Sequence, residues 1–523
     1  MSKYDIIVIG GGHNGLTAAA YLAKSGLNVC VIERQKIVGG TCATRELKLP
    51  GFKHEVGAYM HGVIQANPMI RLDELGLKSK YGLKYLTPDK QFESVFPDGR
   101  KLSFYHDLDK TCQSIAAFSE RDAEAYRRAF KVYSAMLKVA SVAVFSPVPK
   151  WGSMMAFLDA SEAGRDYIQT VLSSASDLAD EWFENDEVKV AVTRAASEMM
   201  VSPYEKGTGN AMFFIPSLHI GGFGLPAGGS GSLSNALATC IKDNGGTILV
   251  SSPVKSIGVT AGEAKSVILE SGEEVVAGRA IISNLNVRQL FLQLIGKQDL
   301  PEGFQDKVKN IKQSTFSALL LNVSTHKAPT FKDGSPMDSW FTEFNPFIRD
   351  LARTFDEFSY GIPSTCMPMM GVPSVFDPTR APVGGHTSYI GHYEPGKLQD
   401  GGVAAWDGIK EKIAEGILGK LNEHLNGLDG DNILEMNVFS PLDIERYNPA
   451  MPEGDMMHMA SSIRQYFANR PLPGWGQYCT PVKKLYMCGS STHPGGGITG
   501  GGRAAALAVM EDLGIDYRKV VSK

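Results

Sequence analysis

The chain has no CxxC pair, no surplus of positive charge and no uninterrupted apolar run long enough to span a bilayer. Seven cysteines, an odd number without close pairing, argue against a disulfide framework and for a reducing compartment. A net charge of −4 over 523 residues gives no basic face of the kind nucleic acid requires. Without a membrane-length run, no transmembrane helix is expected. The first strand is predicted to begin at Tyr4, which leaves no room for a signal or transit peptide. A cytoplasmic location is therefore expected, with peripheral membrane contact left open. The histidines lack metal-ligand spacing such as HxxxH, so no metal is expected. No nucleophile elbow or P-loop occurs either.

Against these absences stands one dense signal near the start. The apolar run Asp5-Ile6-Ile7-Val8-Ile9 ends in Gly10-Gly11-Gly12-His13-Asn14-Gly15, and an alanine-rich helical stretch, residues 16–24, follows directly. A second strand-like run, 28–32, then ends at Glu33. This is the order of parts a dinucleotide fold needs. Gly10 suits the tight turn, Gly12 lets backbone approach a pyrophosphate, and Gly15 allows helix to pack closely on strand. The helix N-terminus presents free N–H groups to phosphates, and Glu33 is placed to accept from both ribose hydroxyls. No second strand–GxGxxG–helix appears further on: Gly222-Phe223-Gly224 lacks the following glycine and a preceding apolar strand. The sequence thus offers no grounds for a dedicated NAD(P)H domain.

The rest of the chain suggests two interleaved domains, since 523 residues exceed one core. Residues 65–220 read mostly as helices, and 119–128 as a solvated face. The segment 132–145 with its Pro/Trp/Met continuation reads as a buried helix and loop over a cavity, with an interfacial patch as the alternative. Residues 226–232 are rich in glycine and serine, and a helix over 233–244 stops at Gly245-Gly246. Short alternating strands are predicted over 247–250, 254–260, 264–270 and 274–277, with a return strand over 280–283. Further strands are expected near 317–323 and 386–392, and a helix near 404–425. Residues 484–489, then Ser490 through Gly502 with six glycines among 495–502, then a helix over 503–513, repeat the strand–glycine turn–helix layout.

The N-terminal VIGGGHNGLTAAAYLAKSGLNVCVIERQKIVGG resembles the FAD-binding start of the phytoene (carotenoid) desaturase and amine oxidase superfamily. LYMCGSSTHPGGGITGGG resembles the C-terminal signature of the carotenoid desaturases. His13-Asn14-Gly15-Leu16, Gly454-Asp455 with His458, and Arg470-Pro471 with Pro473-Gly474 are similar to a phytoene-desaturase-like branch named for a pyridine nucleotide-disulfide oxidoreductase domain. The resemblance implies an α/β fold in which a Rossmann-like FAD-binding domain of glutathione-reductase type (residues 1–65, 226–285 and 480–523) is interleaved with a mixed-sheet and helical substrate domain (66–225 and 286–479). It also implies the residues that hold FAD. Gly10, Gly12, Asn14 and Gly15 would take the pyrophosphate, Glu33 and Arg34 the adenosine ribose. The turn Gly39-Gly40-Thr41 would lie along the dinucleotide, and the Val254 backbone would meet adenine. Gly489 and Ser490 would sit by the ribityl chain, and Gly497, Ile498 and Thr499 would face the flavin pyrimidine. The last placement is also physical: a helix N-terminus offers donors to charge that develops on a reduced flavin.

The branch name misleads in one respect. Gly39-Gly40-Thr41-Cys42 begins like a redox-dithiol motif, but the position five after Cys42 is Leu47, so no dithiol forms. The expected activity is FAD-dependent desaturation or dehydrogenation of an apolar or alicyclic substrate, a carotenoid-like polyene or a ring ketone or acid, by hydride transfer to flavin N5. Oxygen, a quinone or a protein carrier would reoxidise the flavin. A flavin amine oxidase and a flavin-dependent isomerase are the enzyme alternatives, and a Rab escort/GDI-like lipid-binding protein the non-enzyme one. Tyr59 and His61, with His54 and Glu55 behind them, are the best-placed candidates for a catalytic base. The sequence leaves the oligomeric state open. The methionine pairs Met199-Met200, Met369-Met370 and Met456-Met457 suit a greasy pocket, as they would suit any core.

Overall fold

The structure, a computed structural model, describes residues 2–522. Its first sheet has seven strands. Strand Ser2–Ile9 lies at the centre, parallel to Val29–Ile32 on one side and to Glu274–Ser283 on the other, and Thr247–Leu249 extends the parallel part. The run Ile6-Ile7-Val8-Ile9 is buried throughout, as expected of a parallel strand covered on both faces. One face carries the helix His13–Lys24, wedged among the helices Gly231–Asp243 and Gly502–Asp512. Alanine and glycine dominate the contact. A Cβ added at Gly502 would lie 1.9 Å from the Asn14 carbonyl oxygen, so only glycine permits this approach.

Residues 274–283, expected as two strands, form one. Its early half takes the antiparallel strand Glu263–Leu269 on one edge, and its later half takes the parallel strand Leu485–Met487 on the same edge. The change happens at an irregularity: Tyr4 pairs with Ala277 but Ile6 with Ala280, so Gly278-Arg279 bulges out of register. The meander Val254–Thr260, Glu263–Leu269 and Glu274–Ser283 follows the expected alternation.

The second sheet also has seven strands, in the order Ile433–Phe439, Phe316–Thr325, His386–Pro395, Met369–Gly371, Phe341–Phe344, Lys90–Val95 and Lys101–Tyr105. The last pair interrupts residues 65–220, which are otherwise mostly helical as expected. Phe92, Val95 and Phe96 lead into the turn Pro97-Asp98-Gly99, and the turn signal makes a hairpin here between helices. The helix expected over 404–425 is a 3₁₀ turn, Val403–Ala405, followed by the α-helix Trp406–Asn422.

Helices Leu108–Ala116 through Phe214–Ile220 close over the second sheet. The segment 132–145 belongs to the long helix Glu120–Val144, whose face carrying Leu137, Ala140 and Val144 walls a cavity. The same helix leaves Val132 and Val139 exposed. No helix among the described residues is long and apolar enough to cross a membrane.

Candidate active site

A cavity of about 1480 Å³ runs from the C-terminal edge of the first sheet to the inner face of the second. One end is built from backbone. Gly10, at φ +93°, turns the chain from strand to helix, a conformation that favours glycine. A Cβ at Gly15 would stand 2.2 Å from the Gly10 carbonyl oxygen. Gly12 caps the helix without any side-chain capping bond, so first-turn N–H groups are left to the cavity. Glu33 is nearly buried, and its carboxylate accepts the Gly11 N–H at 2.8 Å and the Gln35 N–H at 2.7 Å. Those bonds tie the first turn to the end of the second strand while the carboxylate still borders the cavity. Gly12 bridges to Gly39, which brings Gly39-Gly40-Thr41 alongside.

The C-terminal turn meets this end from the other side of the helix layer. Asn67 Nδ2 donates to the Thr499 carbonyl at 3.0 Å, and the Gly502 N–H donates to Asn14 Oδ1 at 3.3 Å. Arg503 donates to both carboxylate oxygens of Glu74, at 2.7 and 2.8 Å, and to the Phe145 carbonyl at 2.8 Å. Tyr21 also donates to Glu74. Neither Asn67 nor Glu74 stands out in the sequence, because the partner that ties each to the C-terminal turn lies more than 400 residues away.

The expected FAD-binding residues fall into two groups. Gly10, Gly12, Asn14, Glu33, Arg34, Gly39, Gly40, Thr41, Val254, Ser490, Gly497, Ile498 and Thr499 all border the one cavity. Gly15 and Gly489 do not line it and serve packing beneath it: a Cβ at Gly489 would lie 2.2 Å from Asn284 Oδ1. The Asn14 side chain is committed to Gly502, which leaves its backbone as the phosphate-facing group. An uncapped helix N-terminus, a glycine-only approach, an acidic acceptor one strand away and a buried His13 Nε2 without a partner are together a fitting set for FAD.

The other end is built from side chains. Phe92 packs edge-on against Phe214 at 5.2 Å and Phe223 at 5.3 Å, and Tyr59 stacks on Tyr389 at 4.9 Å. Met199, Met200, Met369, Met456 and Met457 border this chamber, whereas Met370 points to the core behind the sheet.

The two expected base candidates do not fit that role. His61 does not line the cavity; it is fully buried. Ser230 spends its one hydroxyl proton on the Ala58 carbonyl at 2.7 Å, so His61 Nε2–H donates to Ser230 Oγ at 3.1 Å. Nδ1 then accepts from the Tyr85 hydroxyl at 2.9 Å. Burial pushes this imidazole down to about 3, and His61 is a neutral brace between Tyr85 in a short strand and Ser230 at a helix start. Tyr59 borders the chamber but donates its hydroxyl to the Trp340 carbonyl at 3.0 Å, and burial raises its pKa further. Behind them, Glu55 is held by Arg380 at 2.8 Å with both side chains fully buried. Burial also pushes His54 down, to about 4. This stretch positions backbone and presents one aromatic face.

Two carboxyls that the sequence does not single out reach the chamber instead. Glu198 comes from the turn Ala195–Met199 and Glu343 from the strand Phe341–Phe344. For Glu343 the sequence signal is only an acid between two phenylalanines of a short strand, Phe341-Thr342-Glu343-Phe344. Cys42 is buried with Sγ 3.3 Å from the Ser230 carbonyl, and burial pushes its thiol up to about 12. It is a packing residue, as the missing second cysteine implied.

Comparison with known proteins agrees with this geometry. Residues 15–510 match the family model "Flavin containing amine oxidoreductase". The chain is 31% identical to rat "Pyridine nucleotide-disulfide oxidoreductase domain-containing protein 2", over 98% of this chain and 94% of that protein. It is 25% identical to a limonene dehydrogenase component of Castellaniella defragrans, over 99% of this chain and 96% of that one. Among solved structures, an oxidoreductase from Methanosarcina mazei superposes with a TM-score of 0.62 at 19% identity, covering 97% of this chain and 100% of its own. At that identity the superposition speaks for the fold alone.

Proposed function

Because this chain belongs to the flavin containing amine oxidoreductase family, we propose that it dehydrogenates an apolar or alicyclic substrate. It is an FAD-dependent oxidoreductase. The first-turn backbone at Gly10, Gly12 and Asn14 would hold the pyrophosphate. Glu33 and Arg34 would hold the ribose, with Val254 beside the adenine. The turn at Ser490 and Gly497-Ile498-Thr499 would border the ring. Bound FAD supplies a two-electron acceptor for hydride. The chain's own part is to position a C–H bond and to exclude water.

The observation that carries this reading is the continuity of one cavity. It joins the glycine-built end to an aromatic and methionine chamber without an intervening wall. An apolar chamber binds by area removed from water, about 25 cal/mol per Å², and places few demands on substrate polarity. The limonene dehydrogenase relative supports a ring hydrocarbon or its derivatives as the substrate class. Oxygen, a quinone or a protein carrier would take the electrons onward.

Anaerobic titration tests the reading. Purified protein is expected to show flavin bands at roughly 370 and 450 nm, as protein-bound flavins do. Alicyclic alcohols, ketones or alkenes should bleach the longer band. Bleaching by amines alone would replace the proposal with an amine oxidase, and conversion of a polyene without net bleaching would replace it with an isomerase. Protein that takes up no FAD would end it.

A further inference from the structure

The chamber's far wall holds a polar cluster that nothing in hydride transfer to a flavin requires. Glu198 Oε1 accepts the Tyr393 hydroxyl at 2.5 Å. Its side chain is thereby fixed, with the second oxygen left over. Glu343 is 4% exposed and borders the cavity, with the Ser94 and Asn345 side chains as its polar neighbours. The cation beside it is Arg194, whose Nε lies 3.7 Å from Glu343 Oε1 and has no hydrogen-bond partner. The other Arg194 nitrogens are spent on Asn345 Oδ1 at 2.7 Å and on the Phe344 and Met367 carbonyls at 3.2 and 2.6 Å. A buried carboxylate served by few donors is costly. A ligand group that donates to it removes that cost.

We propose that Glu198 and Glu343 form a subsite that grips an uncharged oxygen-bearing head group, a hydroxyl or a carbonyl, on an otherwise apolar substrate. The proposal rests on the reading of this chamber as the substrate site. The charge balance argues for a neutral partner. Two carboxyls sharing an apolar site do not both ionise cheaply. Burial raises both, Glu343 to about 7, against the pull of the Arg194 guanidinium. With one of the two carboxyls protonated and one guanidinium beside them, the cluster is near neutral overall. It then offers one acidic O–H donor and one carboxylate acceptor. A hydroxyl satisfies either, and a carbonyl oxygen satisfies the donor. An ammonium group would instead add a second positive charge to a cluster whose one carboxylate is already balanced by Arg194 behind the cavity wall.

Calorimetry on the purified protein, with and without added FAD, with a matched ring series, cyclooctane, cyclooctanol, cyclooctanone and cyclooctylamine, tests this. The alcohol and ketone should bind at least tenfold more tightly than the hydrocarbon and the amine. Glu343→Leu should abolish that preference, and Glu343→Gln, which keeps an acceptor and a donor, should restore part of it. If Glu343→Leu does not fold, Glu198→Leu gives the same reading. Equal affinities across the series, no binding by any member, a preference for the amine, or a preference that survives Glu343→Leu overturns the proposal. Binding uses no flavin chemistry. A protein that refuses FAD therefore sinks the dehydrogenase reading, while the ring series still decides the subsite.

Discussion

The two ends of the cavity are made of different materials. At the nucleotide end, the groups that face the cavity are mostly backbone, and side chains matter by being absent: a Cβ at Gly15 or Gly502 would overlap a carbonyl oxygen. At the chamber end the surface is side chain, with Phe92, Tyr389, Met369, Glu198 and Glu343 contributed by segments far apart in the chain. A backbone site tolerates few substitutions and binds one ligand. A side-chain site can be re-lined residue by residue while the sheets stay put, which is how one fold serves many substrates.

This contrast can be broken most forcefully where the two ends join. Arg380→Met leaves Glu55 buried with only the Ser230 N–H and the Thr44 hydroxyl for company. Loss of one partner of a buried pair costs about 3–5 kcal/mol, so denaturant unfolding should show a destabilisation of that size. Gly15→Val should cost roughly 1–3 kcal/mol from overpacking. It should also lose FAD almost entirely, read as the ratio of flavin to protein absorbance. A chamber variant of equal stability cost should keep its FAD, and equal FAD loss in both would erase the distinction.

Acid should act on both ends. Burial pushes His13, His54 and His493 down to about 4, and His61 and His458 to about 3. The unfolded chain takes up these protons near pH 6.5 while the folded chain refuses them, so it is the unfolded state that binds more protons in this window. Stability is therefore full above about pH 6.5 and falls as pH drops toward 4 and then 3. Each histidine contributes a slope of at most about 1.4 kcal/mol per pH unit. Melting curves from pH 7.5 to 5 should show the loss, and His61→Gln should make it shallower. The smallest effect is expected from Met369→Leu, a volume-conserving swap costing less than about 1.5 kcal/mol. FAD content should not change, and any shift should appear in substrate affinity.

The nucleotide end was legible because its signal is local. Gly10, Gly12 and Gly15 are spaced by the geometry of one turn, and Glu33 follows at the end of the next strand. Even there, nothing local announces that the Asn14 side chain bonds to Gly502, since that contact spans the whole chain. The chamber was hardly legible. Glu198 sits in a short 3₁₀ turn and Glu343 in a four-residue strand, and only the second sheet brings them together. His61 and Tyr59 attracted notice by chemistry and nearness to the turn. Burial and prior hydrogen bonds decided otherwise, and neither can be read from residue type.

The strand Glu274–Ser283 holds Ser2–Ile9 along one edge and reserves part of the other for Leu485–Met487. During translation that reserved edge must wait for most of the polypeptide to leave the ribosome, roughly half a minute or more at usual elongation rates. Until then the vitamin-derived ligand meets only half its seat, and an open parallel edge is exposed to stray pairing. Supply of FAD and of chaperones should therefore govern the yield of soluble recombinant product more than the strength of the finished fold does.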